Sequence, residues 1–135
     1  MSIAVAHQAA SAAKHVALHE AAREASGRGT SLAVIHVVES LDLDVADAYR
    51  NGLKQEIEES LSEVGADGVT WDLHLGVADQ DVAEKILHLA AAADAEVLVI
   101  GARRRSPVGK FLLGSVTQTL ILQAEMPVLV VKPDA

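Results

Sequence analysis

The sequence predicts an α/β protein in which one doubly wound, five-stranded parallel sheet carries helices on both faces, a Rossmann-like fold. Short runs rich in β-branched residues alternate with longer segments whose apolar residues recur every three or four positions, as in helices. The strand runs are apolar along their length, which is typical of parallel strands covered on both faces. The chain of 135 residues is predicted to be a single domain, residues 1–135.

The order of the strands follows from the winding. Right-handed crossovers between parallel neighbours make 3-2-1-4-5 the natural order, with a topological switch between the first and fourth strands. Ligands of such sheets bind beyond the carboxyl ends of the strands at the switch. The predicted strands are Ile3–His7, Leu32–Val38, Val69–Leu75, Glu96–Ile100 and Val128–Val131.

The first two helices are predicted from their composition and from the glycines that follow them. An alanine-rich segment from Ser11 to Ser26 is followed by Gly27 and Gly29. The second helix is closed by Gly65. Its apolar side consists of Tyr49, Leu53, Ile57, Leu61 and Val64.

The last two helices carry start signals. Asp81 offers an N-cap with Glu84 three residues later, the spacing of a capping box. Ser115 and Gln118 form an S-x-x-Q capping box that is predicted to begin the last helix. By contrast, the segment Glu39–Asp47 is expected to be a polar, acidic connection.

Composition excludes several classes of function. The chain has no cysteine, which removes disulfides, thiolate catalysis and cysteine-ligated zinc. Its net charge of −8 argues against a nucleic-acid surface. No run of roughly 20 apolar residues could span a membrane, and the amino terminus lacks the basic flank of a signal peptide. We therefore expect a cytoplasmic protein that binds neither membranes nor nucleic acids.

The positive charge of this acidic chain is concentrated in the segment GARRRSPVGKFLLGS, residues 101–115. The connection Ala102–Leu113 is about twice the ordinary length in α/β units, which suggests function. It leads to Gly114 and Ser115 at a helix start, where unpaired N–H groups and the helix dipole attract anions. Arg103 and Arg104 add guanidinium groups suited to phosphate. The alternative is that the arginines are merely solvated and that Ser115 only caps the helix.

Known phosphate loops do not match, but a protein family does. Position 104 is Arg and position 111 is Phe, so the P-loop motif fails, and no glycine follows the first strand for a dinucleotide fingerprint. Nearly the whole chain instead resembles the universal stress protein family. The resemblance is carried by LAVIHVV with its His36-Val37 pair, by Gly76 before a helix, by DAEVLVIGARRR and by KFLLGSVTQTLILQAEMPVLVVKP.

The resemblance implies the same fold and an ATP site at the switch. ATP-binding members carry G-x2-G-x9-G-[S/T] from the fourth strand into the last helix. Gly101 matches the first glycine and Gly114-Ser115 the final pair, whereas Arg104 stands at the middle glycine. The resemblance implies ATP as the ligand, accompanied by Mg²⁺. Its adenine would contact the main chain near Val37, and its ribose would border Ile100 and Gly101. Its phosphates would contact Gly114, Ser115 and Val116.

A second departure from the family concerns the first strand. ATP binders carry an aspartate just after it, near the ribose and adenine, whereas this chain has no acid before Glu20. His7 and Ala9 occupy the region and are the candidate contacts there. A buried ribose hydroxyl would lose an ionised acceptor worth about 1.5–3 kcal/mol. Three outcomes stay open: weaker ATP binding, a site retuned to a different nucleotide or anion, and a protein that binds no nucleotide.

The histidines offer no clear chemistry. His7, His36 and His74 lie near the ends of neighbouring strands and would need a shared face to bind a metal; no metal site is predicted. His15 and His19 share a helix face, which an exposed polar surface explains. No Ser-His-Asp arrangement or G-x-S-x-G elbow appears, so no catalytic residue is predicted, and slow ATP hydrolysis would lack an identifiable base.

The fifth strand predicts self-association. Val128–Val131 would lie at the sheet edge, where a bare apolar strand invites pairing with another chain. The resemblance implies a homodimer formed by antiparallel pairing of this strand. The leading interpretation is a stress-response regulatory protein that binds an adenine nucleotide, ATP first, between strands 1 and 4. The alternative is a dimeric interaction module that has lost nucleotide binding.

Overall fold

A computed structural model of the protein describes residues 1–7, 14–105 and 111–132. The strands are β1 Ser2–Ala6, β2 Ser31–Val38, β3 Trp71–Val77, β4 Ala95–Gly101, β5 Arg103–Arg105, β6 Phe111–Leu112 and β7 Val128–Val131. Five of them form a parallel sheet in the order β3-β2-β1-β4-β7, which confirms the predicted order 3-2-1-4-5. β5 and β6 form a separate antiparallel pair.

Helices connect the strands and cover the sheet. Those of the described ranges are α1 Lys14–Arg28, α2 Ala46–Glu63, α3 Val82–Ala92 and α4 Ser115–Gln123. The predicted start of α1 at Ser11 lies outside the described residues. In the part of the chain that the structure covers, no helix combines the length and the apolar character needed to cross a membrane.

The two faces of the sheet hold separate apolar clusters, because successive side chains of a strand point to opposite faces. Ile3 and Val5 of β1 pack with α1 and α2 on one face, and Ala4 packs with residues of α3 and α4 on the other. Ile57 of α2 and Leu120 of α4 are 0% and 1% exposed. The sheet is therefore covered on both faces, as its apolar strands predict.

Left-handed glycines end the first two helices. α2 ends at Glu63, and the predicted Gly65 closes it with a φ of +71°. The N–H of Ala66 donates to the carbonyl of Leu61 at 2.9 Å, a Schellman arrangement. α1 runs past its predicted end at Ser26 and stops before Gly29, whose φ is +67°. The boundary differs because a helix tolerates one glycine but ends where a residue turns left-handed.

β3 begins and ends later than the predicted range Val69–Leu75. The N–H of Val69 donates to the carbonyl of Ala66 at 3.1 Å, so Val69 belongs to the turn after α2. At the other end, Val77 pairs with Val38 and extends the ladder.

The connection between β2 and α2 corresponds to the predicted polar, acidic segment Glu39–Asp47, whose last two residues already belong to α2. It contains a 3₁₀ turn, Leu43–Val45, and the Asp42 carboxylate accepts the N–H of Asp44 at 3.0 Å. Asp42, one of the residues that make this connection polar and acidic, therefore orders its turn, as Asx side chains commonly do.

Candidate functional site

The carboxyl ends of β1 and β4 form the centre of the candidate site. β1 pairs with β2 on one side and β4 on the other, so the winding reverses at this point of the sheet. The crevice beyond such a switch is where open α/β sheets bind ligands. Gly101 continues the edge by pairing with Val131, and the N–H of Ala102 donates to the Val131 carbonyl at 2.8 Å.

The crevice borders the apolar cluster under α3 and α4. Val37 of β2, Ile100 of β4 and Val116 of α4 belong to this cluster, together with Ala6 at the end of β1. Ile100 is buried, whereas Val37 and Val116 are half-buried. The fold thus brings together three of the residues predicted to contact a nucleotide, from elements far apart in the sequence.

The start of α4 differs from the predicted capping box by one residue. Gly114 is the N-cap: it is extended, with φ −69° and ψ 165°, and its carbonyl accepts the N–H of Gln118 at 3.0 Å. The Gln118 side chain donates to the Leu113 carbonyl at 3.1 Å. Ser115 is already helical, so the prediction that its hydroxyl caps the helix is wrong.

This correction leaves the first turn of α4 without a side-chain cap at Gly114. The first N–H groups of any helix lack intrahelical acceptors and need partners from elsewhere. They also lie at the positive end of the helix dipole. The turn that contains Ser115 and Val116 therefore retains the capacity to bind an anion at the carboxyl edge of β4.

The long basic connection contains two short paired strands. Arg103–Arg105 form β5, and Arg103 pairs with Leu112 of β6. Buried Ala102 separates β5 from β4, so the arginine backbone begins beside the crevice, and β6 returns the chain to Gly114. Residues 106–110 and the candidate contact Ala9 lie outside the described residues.

The histidines at the ends of β1 and β2 form a buried pair. Their Nδ1 atoms lie 3.0 Å apart, and His7 and His36 are 5% and 4% exposed. His36 Nε2 lies 2.8 Å from the hydroxyl of Tyr49 in α2. Burial lowers the pKa of His36 from its ordinary value, with a smaller opposing effect from the His7 backbone, and therefore favours the neutral ring.

His74 does not share the face of this pair. Leu73 and Leu75 on either side of it pack in the α1–α2 cluster, so strand alternation places His74 on the other face. Within the described ranges, no group of three or more histidine and carboxylate side chains could hold a metal ion. The His7 ring also lies on the α1–α2 face, away from the cluster of Val37, so a contact of His7 with a ligand in the crevice would use its main chain.

His15 and His19 are not the exposed polar surface that their spacing suggests. His15 Nδ1 lies 2.8 Å from Ser60 Oγ, and His19 Nε2 lies 2.9 Å from the same oxygen and 3.0 Å from the Ser60 carbonyl. A carbonyl only accepts, so His19 donates to it. Ser60 is 2% exposed, and the two imidazoles join α1 to α2 through it.

Sequence reasoning missed the polar roles of Ser60 and Tyr49. The helical period treats Tyr49 as an apolar position, and it does pack against the core while its hydroxyl bonds to His36. For Ser60, the available signal is its place three residues after Ile57, on the side of α2 that faces the sheet. A serine there needs a buried partner.

The fold and this edge define the class: a doubly wound α/β protein in which the strand switch lies beside an apolar cluster and a helix start that has no side-chain cap within the described residues. The chain matches the model of the Universal stress protein family over residues 1–132. It belongs to the universal stress protein family, as the resemblance in its sequence predicts.

Similar proteins agree with this assignment. A universal stress protein of Mycolicibacterium smegmatis is 39% identical over 123 residues, which cover 87% of each chain. The structure of a universal stress protein from Archaeoglobus fulgidus is 32% identical, with a TM-score of 0.77 and 98% of each chain covered. A universal stress protein structure from the same organism, in complex with dAMP, is 29% identical, with a TM-score of 0.71 and 98% of each chain covered.

Proposed function

We propose that this universal stress protein is a stress-response regulator that binds an adenine nucleotide, ATP first, in the crevice between β1 and β4. The observation that carries the proposal is the uncapped start of α4 at Gly114, beside the carboxyl edge of β4. Such a helix start offers N–H donors and a positive dipole end to phosphate. The dAMP bound by the Archaeoglobus fulgidus relative supports an adenine nucleotide rather than a plain anion.

Each part of the nucleotide has a proposed partner. Adenine would lie against the main chain of Val37, beside the half-buried apolar surface of the α3–α4 cluster. Arg103 and Arg104 at the start of β5 would add positive charge near the phosphates, and Mg²⁺ would accompany ATP. The ribose would border Ile100 and Gly101, and the phosphates would meet Gly114, Ser115 and Val116.

The ribose contact is the weakest part of the proposed site. The position just after β1 is His7, whose ring is bonded to His36, and the chain has no acid before Glu20. A lost ionised acceptor is worth about 1.5–3 kcal/mol, or roughly tenfold to a hundredfold in affinity. We therefore expect ATP to bind, but more weakly than where a carboxylate holds the ribose.

We also propose a cytoplasmic homodimer that forms through β7. Val128–Val131 pair with β4 on one side and are all half-buried. Within the described residues, no other strand pairs with the outer side of β7. Antiparallel pairing with a second copy would cover this apolar edge. Sedimentation should show twice the mass of one chain, and a monomer at every concentration would contradict the dimer.

The second candidate function is a dimeric interaction module without a nucleotide. Arg104 at the middle glycine of the family motif favours it, because a side chain stands where backbone should approach phosphate. The double variant Arg104→Gly with Ala9→Asp separates the two candidates. Binding that appears in the double variant but not in the natural protein would favour the interaction module.

Calorimetric titration with ATP and Mg²⁺ tests the proposed function. Saturation at 100 times Kd should also stabilise the fold by about 2.7 kcal/mol, which thermal unfolding detects. Tripolyphosphate serves as the matched ligand without adenosine and should bind more weakly than ATP. Neither heat nor stabilisation at millimolar ATP would contradict nucleotide binding, and equal affinity for the two ligands would indicate an anion site.

Two variants at position 115 test the role of the α4 amides. Ser115→Pro removes an N–H that no helix bond uses, and the extended Gly114 is compatible with a following proline. Ser115→Ala removes only the hydroxyl. We expect Ser115→Pro to weaken ATP binding about tenfold or more, since a hydrogen bond to a charged group is lost, and Ser115→Ala to weaken it much less. Equal affinities for ATP in both variants would contradict the phosphate role.

A further inference from the structure

Two buried imidazoles meet at the strand ends that border the crevice. His7 directly follows Ala6, the last residue of β1, and His36 directly precedes Val37 in β2. Their Nδ1 atoms lie 3.0 Å apart and their ring centroids 5.2 Å apart. The pair therefore joins two strand ends from the α1–α2 face, while the proposed ligand would lie against residues of the other face.

The distance between the Nδ1 atoms limits how many protons the pair can hold. A hydrogen bond of this length needs one Nδ1–H donor and one bare Nδ1 acceptor. Two neutral rings meet this condition, and so does one imidazolium ring that donates to a neutral partner. With two imidazolium rings, both Nδ1 atoms carry hydrogen. The bond is then lost, and two like charges face each other in a buried place.

Tyr49 extends the pair to α2. Its hydroxyl lies 2.8 Å from His36 Nε2, and the two ring centroids are 5.8 Å apart. A tyrosine hydroxyl both donates and accepts, so it accommodates either tautomer of His36. Movement of His36 would therefore be passed to the first turn of α2.

The elements packed against the pair carry further titratable groups. β3 places the uncharged Leu75 in register with His36, and His15 of α1 is bonded to Ser60 rather than to His36. These elements carry, among other titratable or charged groups, Glu39 beyond β2, Asp47, Tyr49 and Arg50 in the first two turns of α2, His15 on α1 and, on the opposite face, His74 of β3.

We propose that His7 and His36 are positioning residues that make ligand binding in the crevice depend on pH. With at most one extra proton the pair holds the strand ends in the binding arrangement, and a second proton separates them. The proposal rests on nucleotide binding between β1 and β4. Burial lowers the pKa of His36, so separation is expected below the ordinary histidine value of about 6.5. Affinity is then retained at neutral pH and lost in acid.

The test compares the natural protein with two variants between about pH 8 and about pH 5. His7→Asn places a non-titrating amide near the position of Nδ1, and its oxygen accepts from His36 in either charge state. His88→Gln is the matched control, because His88 is exposed on α3. Calorimetry gives ATP affinities, and the ratio between proteins at each pH cancels the protonation of ATP itself. Amide NMR signals of Ala6 and Val37 are followed without ligand.

We expect the natural protein and His88→Gln to lose about fivefold or more in ATP affinity relative to His7→Asn on acidification. The amides of Ala6 and Val37 should titrate together in the first two proteins and not in His7→Asn. Equal pH dependence in all three proteins would overturn the proposal. Should His7→Asn not fold, His36→Gln replaces it, since glutamine keeps an amide beside Tyr49. If ATP binds at no pH, the proposed function fails, and the amide titration decides whether the pair separates the strand ends.

Discussion

The two faces of the sheet are held by different chemistry. On the α1–α2 face, aliphatic packing is combined with buried or partly buried hydrogen bonds of His7, His36, Tyr49, His15, His19 and Ser60. On the α3–α4 face, the buried cluster consists of Ala, Ile and Leu side chains. This second face borders the crevice.

The difference shows how the fold can keep a binding edge open. Directional bonds on one face link β1 to β2, β2 to α2, and α1 to α2. On the other face the apolar cluster and the uncapped turn of α4 leave main-chain groups for a ligand. The polar side chains therefore lie on the α1–α2 face, opposite the candidate site. Backbone donors and apolar contacts on the α3–α4 side would form the site itself.

The largest expected effect tests whether both faces contribute equally to stability. Ile57→Ala on the first face and Leu120→Ala on the second should each lower the free energy of unfolding by about 2–5 kcal/mol, because each truncation leaves a cavity in a fully buried cluster. Leu122→Ala is the control on α4, since Leu122 is 83% exposed, and it should change stability by less than about 0.5 kcal/mol. Urea unfolding measures all three. A tolerated truncation on one face would show that this face is not tightly packed.

The next largest effect concerns how much the hydrogen bonds of the α1–α2 face contribute to stability. Ser60→Ala should cost about 1–3 kcal/mol, because it leaves His15 and His19 without the hydroxyl that both contact. Ser62→Ala on the same helix is the matched control. Its hydroxyl donates to exposed Asp67 at 3.0 Å, so its loss should matter less. Equal unfolding midpoints for the two variants would contradict a structural role for the buried serine.

A smaller effect tests the packing of α3 on β3. A Cβ at Gly76 would lie 2.9 Å from Leu89 Cδ1 and 3.0 Å from Lys85 Cε, so the ends of these two side chains must shift, and Gly76→Ala should destabilise the fold by no more than about 1 kcal/mol. Gly52→Ala meets no atom within 4 Å in the middle of α2 and should stabilise by about 0.5–1 kcal/mol. Thermal unfolding compares them, and a shift of the same sign in both would be inconsistent with close packing at Gly76.

The smallest effect is a pH dependence carried by His36. Burial lowers its pKa in the folded state, so the unfolded chain binds the proton first. The stability contribution is complete above about pH 6.5 and is lost as the pH falls below it, at less than about 1.4 kcal/mol per pH unit. Urea unfolding between about pH 7.5 and 5.5 avoids the titration of carboxylates. His36→Gln should reduce this slope, while His88→Gln should leave it nearly unchanged.

Much of the fold could be predicted from the sequence, because apolar periodicity and left-handed glycines act locally. The five strands, their order and the end of α2 at Gly65 follow from such signals. The start of α4 could not be placed to the residue, since Gly114 and Ser115 are both acceptable N-caps and the backbone geometry decides between them.

The contacts of the histidine side chains could not be predicted from the periodicity of the sequence. Whether His7, His36 and His74 share a face depends on where each strand places its alternation, and a shift of one residue reverses the answer. The contacts of His15 and His19 with Ser60 join residues that are 45 and 41 positions apart in the sequence. Such contacts follow from the packing of helices rather than from local signals.

The most direct measurement of the central claim is a map of backbone amide NMR shifts on addition of ATP and Mg²⁺. The largest changes should fall at the carboxyl edge, at Val37, Gly101, Ser115 and Val116, while Gly65 at the opposite end of the sheet stays unchanged. Changes confined to other surfaces, or none at saturating ATP, would contradict a nucleotide site at the strand switch.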